Sequence, residues 1–143
     1  MLEREIVQKV VDSGFLSGRS VFTEIPVGRP ARSNKRIDIV ALEENSNRQP
    51  IVIAIEAKIA NWRKALQQAF LNLFVAEYSY VAVPEIRLRS IDRDCFGRAG
   101  IGLLAVNGSV DSVLEPSLSS HTLAEKKKYV LDWCRRVEGE RSA

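Results

Sequence analysis

Ile51-Val52-Ile53-Ala54-Ile55-Glu56-Ala57-Lys58-Ile59 is an apolar run that carries two ionisable side chains near its end. Bounded by Pro50 and Asn61 and rich in β-branched residues, it reads as a strand. Val52, Ala54, Glu56 and Lys58 share one face, and Ile53, Ile55, Ala57 and Ile59 the other. Both faces are otherwise apolar, which predicts a central strand covered on both sides. A second run, Ile37-Asp38-Ile39-Val40-Ala41-Leu42, puts Asp38 on the face of Val40 and Leu42. The polar, turn-rich link from Glu43 to Pro50 joins the two runs as an antiparallel hairpin, which can bring Asp38 beside Glu56. Taking one ionised group out of water costs several kcal/mol even after relaxation, against a total stability of about 5–15 kcal/mol. Three such groups close together point to a metal or anion site.

Two carboxylates and a lysine on one sheet face suit phosphodiester hydrolysis. Asp and Glu are hard oxygen ligands for Mg²⁺, which keeps several waters and takes one or two protein carboxylates; Mn²⁺ can substitute for it. Such an ion polarises the phosphate and activates a bound water. Lys58 then orients that water or offsets charge in the transition state, since neighbouring carboxylates favour the charged ammonium over a general base.

These residues resemble the PD-(D/E)XK nuclease superfamily, the fold of many restriction endonucleases and of the archaeal Holliday-junction resolvases. Ile37-Asp38 matches the first half of the motif and Glu56-Ala57-Lys58 the second. Ile37 stands where the motif has proline, a change the pattern tolerates because the aspartate carries the chemistry. The resemblance implies an α/β fold with a restriction-endonuclease-like core. A mixed central β-sheet would be flanked by helices in the order α-β-β-β-α-β-β-α, within one domain over residues 1–143. It also implies Asp38 and Glu56 as metal ligands and Lys58 as a catalytic residue. A Glu-x-Lys triplet alone is common, and Glu125-Lys126-Lys127 is a second one in a charged helical segment that reads as solvated surface.

Supporting residues follow from periodicity. Leu2 to Val11 is a helix whose apolar stripe includes Leu2, Ile6, Val7, Val10 and Val11, and Glu3 falls within it. Several members of the resembled superfamily aim a carboxylate from this helix at the metal, which makes Glu3 a third acidic candidate. Glu24, in the strand Val21-Phe22-Thr23-Glu24-Ile25, is a weaker one, because an edge-strand Glu can simply face solvent. Asn61 caps a helix from Trp62 to about Ala76 that crosses over to a parallel strand, Tyr78 to Val83. Gln67 and Gln68 flank its apolar face, and periodicity does not choose between them. In the resembled family a glutamine on this helix often reaches the active site, and the surrounding pattern favours Gln68.

Lys and Arg total 21 against 18 acidic residues, a net charge of +3 that permits nucleic-acid binding without proving it. Arg29, Arg32, Lys35 and Arg36 lie in the loop that enters the Asp38 strand, where they can hold phosphates in a salt-sensitive way; Arg87, Arg89, Arg93 and Arg98 follow a later strand. Each is equally well read as a solvated loop residue. Cys95 and Cys134 lack partners at ligand spacing, so reduced thiols are expected, and the lone His121 reads as a helix-start residue. Ile101 to Val106 is a further strand, and Thr122-Leu123-Ala124-Glu125 is a capping-box pattern opening a final amphipathic helix. Lys126, Lys127 and Lys128 in its first turns need acidic neighbours or phosphate to offset the helix dipole.

No apolar stretch reaches membrane-span length and no signal-peptide pattern opens the chain, so a cytoplasmic protein without membrane contact is expected. The reading is a Mg²⁺-dependent DNA endonuclease, with RNA as another possible substrate, directed by structure rather than sequence because no separate reading domain is evident. A homodimer is consistent with cutting two strands. The alternatives are a catalytically inactive module of the same fold that binds nucleic acid or a protein partner, and a metal-dependent enzyme acting on a small phosphate ester.

Overall fold

The structure, a computed structural model, describes residues 1–28 and 35–142. Its helices are α1 (Glu3–Asp12), α2 (Trp62–Asn72), α3 (Arg93–Ala99) and α4 (Ala124–Ser142). Its strands are β1 (Ser20–Pro26), β2 (Arg36–Glu43), β3 (Ile51–Ala57), β4 (Tyr78–Pro84), β5 (Gly102–Val106) and β6 (Val110–Leu114). The six strands form one mixed sheet in sequence order. β1, β2 and β3 are antiparallel neighbours, β3, β4 and β5 are parallel, and β6 returns antiparallel to β5. β3 is therefore the strand at which the sheet changes from antiparallel to parallel.

The alternation read from the central run sorts its side chains between two cores. Ile53, Ile55 and Ala57 join Ile39, Ala41, Tyr80 and Ala82 under α1, which contributes Ile6 and Val10. Val52 and Ala54 join Val40 and Leu42 under α4, which contributes Val130, Leu131 and Cys134. α2 and α3 cover the same side further along, where Ala65, Ala69 and Phe96 meet Val81, Val83 and Leu103. The sheet thus lies between α1 on one face and α2, α3 and α4 on the other, an α/β architecture with a mixed sheet flanked by helices. Among the described residues no helix is long and apolar enough to cross a membrane.

Three local expectations are corrected. The element order gains α3 between β4 and β5, and a sixth strand, β6, whose half-exposed residues lack a strong apolar alternation. α2 stops at Asn72 rather than near Ala76, and the chain turns through Leu73 to Val75. Thr122 does not cap the last helix. Its hydroxyl donates to the carbonyls of Leu73 (3.2 Å) and Ala76 (2.8 Å), while Ser119 Oγ also donates to Leu73 O (2.8 Å). Together these hydroxyls satisfy two carbonyls of the turn that follows α2. Lys127 finds the expected acidic neighbour in Glu77 at 3.0 Å. Glu77 Oε1 in turn accepts from the Val52 N–H at the start of β3 (2.7 Å), so α4 is tied to the central strand.

Candidate active site

The hairpin register sets Ile39 opposite Ile55 and Val40 opposite Ala54. Carried one residue on, it sets Asp38 opposite Glu56, as the sequence reading requires. Asp38 is half-buried, and its Oδ2 accepts the Ala57 N–H at 2.8 Å, bridging the two strands where regular pairing ends. Glu56 is only 7% exposed. Burial pushes its pKa from 4.5 up to about 8. The adjacent Asp38 charge and a hydrogen bond between the two carboxyls add to the rise, and the Asn72 hydrogen bond opposes it. Without a cation, the Glu56 carboxyl therefore keeps its proton near neutral pH.

Glu56 points to the α2 side of the sheet, where Asn72 Nδ2 donates to its Oε1 at 2.8 Å. Gln68 lies one turn before Asn72 on the same helix face, and the two line a cleft of about 110 Å³ with Glu56, Val27, Lys35, Arg36 and Leu71. Gln67 points away, exposed, into a separate apolar groove with Leu66, Phe70, Leu71 and Ala99. The choice left open by periodicity thus falls to Gln68. Asn72 was missed by sequence reasoning. Its signal was the spacing: Ala65, Ala69 and Asn72 follow one stripe, and a buried asparagine on that stripe needs a partner.

Lys35 and Arg36 reach this cleft from the start of β2, and Arg36 also donates to the carbonyl of Glu24 at 3.3 Å. Arg29 and Arg32, assigned to the same basic loop, lie outside the described residues. Glu24 is exposed, with φ at 57°, and its charge adds slightly to the raised pKa of Glu56.

Lys58 departs from the simple alternation. β3 ends at Ala57, and the Lys58 N–H bonds the Ala82 carbonyl at 3.0 Å. The Lys58 ammonium meets Glu3 Oε1 at 3.5 Å, on the side of the sheet covered by α1. The contact shown for the Glu3 carboxylate is with Lys58 and not with the carboxyl pair, and its side chain is about half exposed. Lys58 also walls a second small cleft with Asn61, Trp62, Val83, Arg87 and Ser90. Arg89, Arg93 and Arg98 are exposed. His121 packs against the rings of Phe70 and Phe74, and Cys95 and Cys134 are free thiols.

No family model matches the sequence, and a search of curated proteins finds no match. Among solved structures the chain is similar to the SPO1766 protein of unknown function from Silicibacter pomeroyi, at a TM-score of 0.67 and 16% identity over 95% of this chain and 85% of that one. At that identity the likeness concerns the fold alone.

Proposed function

We propose that the protein is a Mg²⁺-dependent endonuclease acting on DNA, with Asp38 and Glu56 as the acidic pair of a PD-(D/E)XK-type site. The observation that carries the reading is the pair itself: a buried carboxyl facing a second carboxyl across a hairpin, with a basic cleft alongside. Among the described residues no group of three or more His, Cys, Asp or Glu side chains is arranged to hold a metal. Mg²⁺ does not need one, because two carboxylates with water in the remaining positions are enough. Asp38 Oδ2 and Glu56 Oε1 each carry a protein hydrogen bond, which leaves one oxygen of each carboxyl for an ion in place of the Glu56 proton.

A divalent ion held there by Asp38 and Glu56 would polarise a phosphate oxygen and supply a nucleophilic water. The protein's own groups hold the frame for that chemistry. Asn72 fixes the Glu56 carboxyl, Ala57 N–H fixes Asp38, and Gln68 supplies an amide at the cleft wall for substrate or water. Lys35 and Arg36 offer cations to the phosphate backbone. Lys58, at the end of β3, would provide the charge that opposes the developing oxyanion.

Purified protein incubated with supercoiled, linear, single-stranded and branched DNA in Mg²⁺, Mn²⁺ or EDTA tests this. Metal-dependent cleavage lost in Lys58→Ala and Asp38→Ala is the expected result, and full cleavage by either variant refutes the assignment. The exposed side of the Lys58–Glu3 pair favours one second reading: in an inactive binding module that ion pair is permanent, and DNA binding is salt-sensitive yet indifferent to metal.

A further inference from the structure

The small cleft beyond β3 is separate from the one that holds Glu56. We propose that it is a notch for a single phosphate group of a nucleic-acid strand, with Arg87 as its principal ligand. The proposal rests on nucleic acid being the substrate, but not on its being cut.

Size selects the ligand class. The notch measures about 80 Å³, the liquid volume of about three waters. Pockets that enclose whole drug-sized molecules begin at roughly 300 Å³, so the notch does not enclose a nucleoside, and its scale suits one tetrahedral oxyanion. Charge selects the sign. Arg87 carries a planar guanidinium suited to paired hydrogen bonds with phosphate oxygens. Lys58 lines the opposite wall, its charge partly offset by Glu3. Arg63, Lys64 and Arg89 are exposed on the adjoining segments, and the Arg63 guanidinium lies 4.4 Å from the centre of the Trp62 ring that forms part of the wall. Glu85, an acidic group in the same 3₁₀ turn, is engaged by the Asn107 amide.

The turn that presents Arg87 is held in place. Ser90 Oγ donates to the Arg87 carbonyl at 2.9 Å, and the Ile91 N–H bonds the Leu88 carbonyl at 3.2 Å. Ile91 then anchors the turn in the core with Phe96 and Leu103. Lys58, on the notch wall, stands two residues after Glu56; the phosphate in the notch is either an internal phosphate of the bound strand or a 5′-terminal one.

Fluorescence anisotropy of one single-stranded oligonucleotide, made with a 5′-phosphate and with a 5′-hydroxyl, tests the notch in EDTA across a salt series. Arg87→Ala is expected to weaken binding about tenfold and to lower the salt slope by about 0.7. Arg87→Lys should restore the slope, while unchanged thermal melting shows that both variants fold. An equal loss on the two probes assigns the notch to an internal phosphate, and loss of a preference for the 5′-phosphate probe assigns it to a strand end. Wild-type affinity and slope in Arg87→Ala on both probes, or no binding by the wild type, overturns the proposal. Cleavage read separately in Mg²⁺ keeps the two readings apart: Arg87-dependent binding without cutting removes the nuclease and leaves the notch, and cutting with Arg87-independent binding does the reverse.

Discussion

Glu56→Gln should remove a pH dependence of stability that the wild type carries in the absence of divalent ions. In the folded protein the Glu56 carboxyl titrates near 8, against 4.5 in the unfolded chain, because burial and the neighbouring Asp38 penalise its ionised form. Between those values the folded state holds a proton that the unfolded state has released. Its stabilising contribution is complete below the unfolded value and is lost as pH rises towards the folded one. Each unit costs about 1.4 kcal/mol, so the fall from pH 5 to pH 8 is at most about 4 kcal/mol, water entry making this an upper bound. For a domain of 143 residues that upper bound corresponds to a drop in Tm of about 13 °C. The assay is thermal unfolding across that range in EDTA, with Glu56→Gln as the reference so that other titrations cancel. Adding Mg²⁺ at the alkaline end should raise Tm in the wild type and not in the variant, because an ion that takes the proton's place binds only the folded state. Parallel pH profiles for wild type and variant would refute the carboxyl pair, and an absent Mg²⁺ effect would refute the ion.

Three further outcomes are expected. Asn72→Ala removes a hydrogen bond that favours ionised Glu56, so the stability loss with pH should extend to higher pH in the same melting series. Lys58→Ala should abolish cleavage in the DNA assay while changing stability by less than about 1 kcal/mol in urea, since its ion pair with Glu3 is partly exposed. Gly102→Ala should destabilise by about 1–3 kcal/mol, read by the same denaturation, because its Cβ would lie 2.5 Å from the buried Tyr80 ring with the Leu114 carbonyl behind it.

The central strands and their neighbours were legible because burial leaves a period in the sequence. Ile51 to Ala57 alternates between two apolar cores, and both are present. β6 was not legible because one edge strand with exposed Asp111 and Ser112 buries too little to impose a pattern. Thr122 and Glu125 satisfied a local capping pattern, yet the Thr122 hydroxyl is drawn to carbonyls in the turn that follows α2, some 46 to 49 residues away. Within the site, Asp38 and Glu56 were readable as charges in an apolar run. The position of Lys58 was not, since alternation holds only while the strand lasts and β3 ends one residue earlier. Gln68 and Asn72 are a similar case: helical spacing puts them on one face, but only the crossing of α2 over β3 turns that face to Glu56.

The same rung of the sheet carries a second cost. The β1–β2 register sets Thr23 opposite Ile39 and Ile25 opposite Ile37, which brackets Glu24 against Asp38. One rung therefore runs Glu24, Asp38, Glu56 across three strands. Glu24 sits at φ 57° inside a strand, a conformation that costs a non-glycine residue roughly 1–2 kcal/mol. It also disturbs the alternation: Phe22 and Ile25 join one core, as do Ile37 and Val40, although regular strands would send the members of each pair to opposite faces. Backbone strain at Glu24, desolvation at Glu56 and facing carboxyls at Asp38 are three separate penalties at a single level of the sheet. A rung evolved only for stability would replace these acids with the β-branched residues found on the rungs beside it. Costs of this kind collect where they are part of a mechanism, and here they collect where β3 changes from antiparallel to parallel pairing, beside the cleft of Gln68, Lys35 and Arg36.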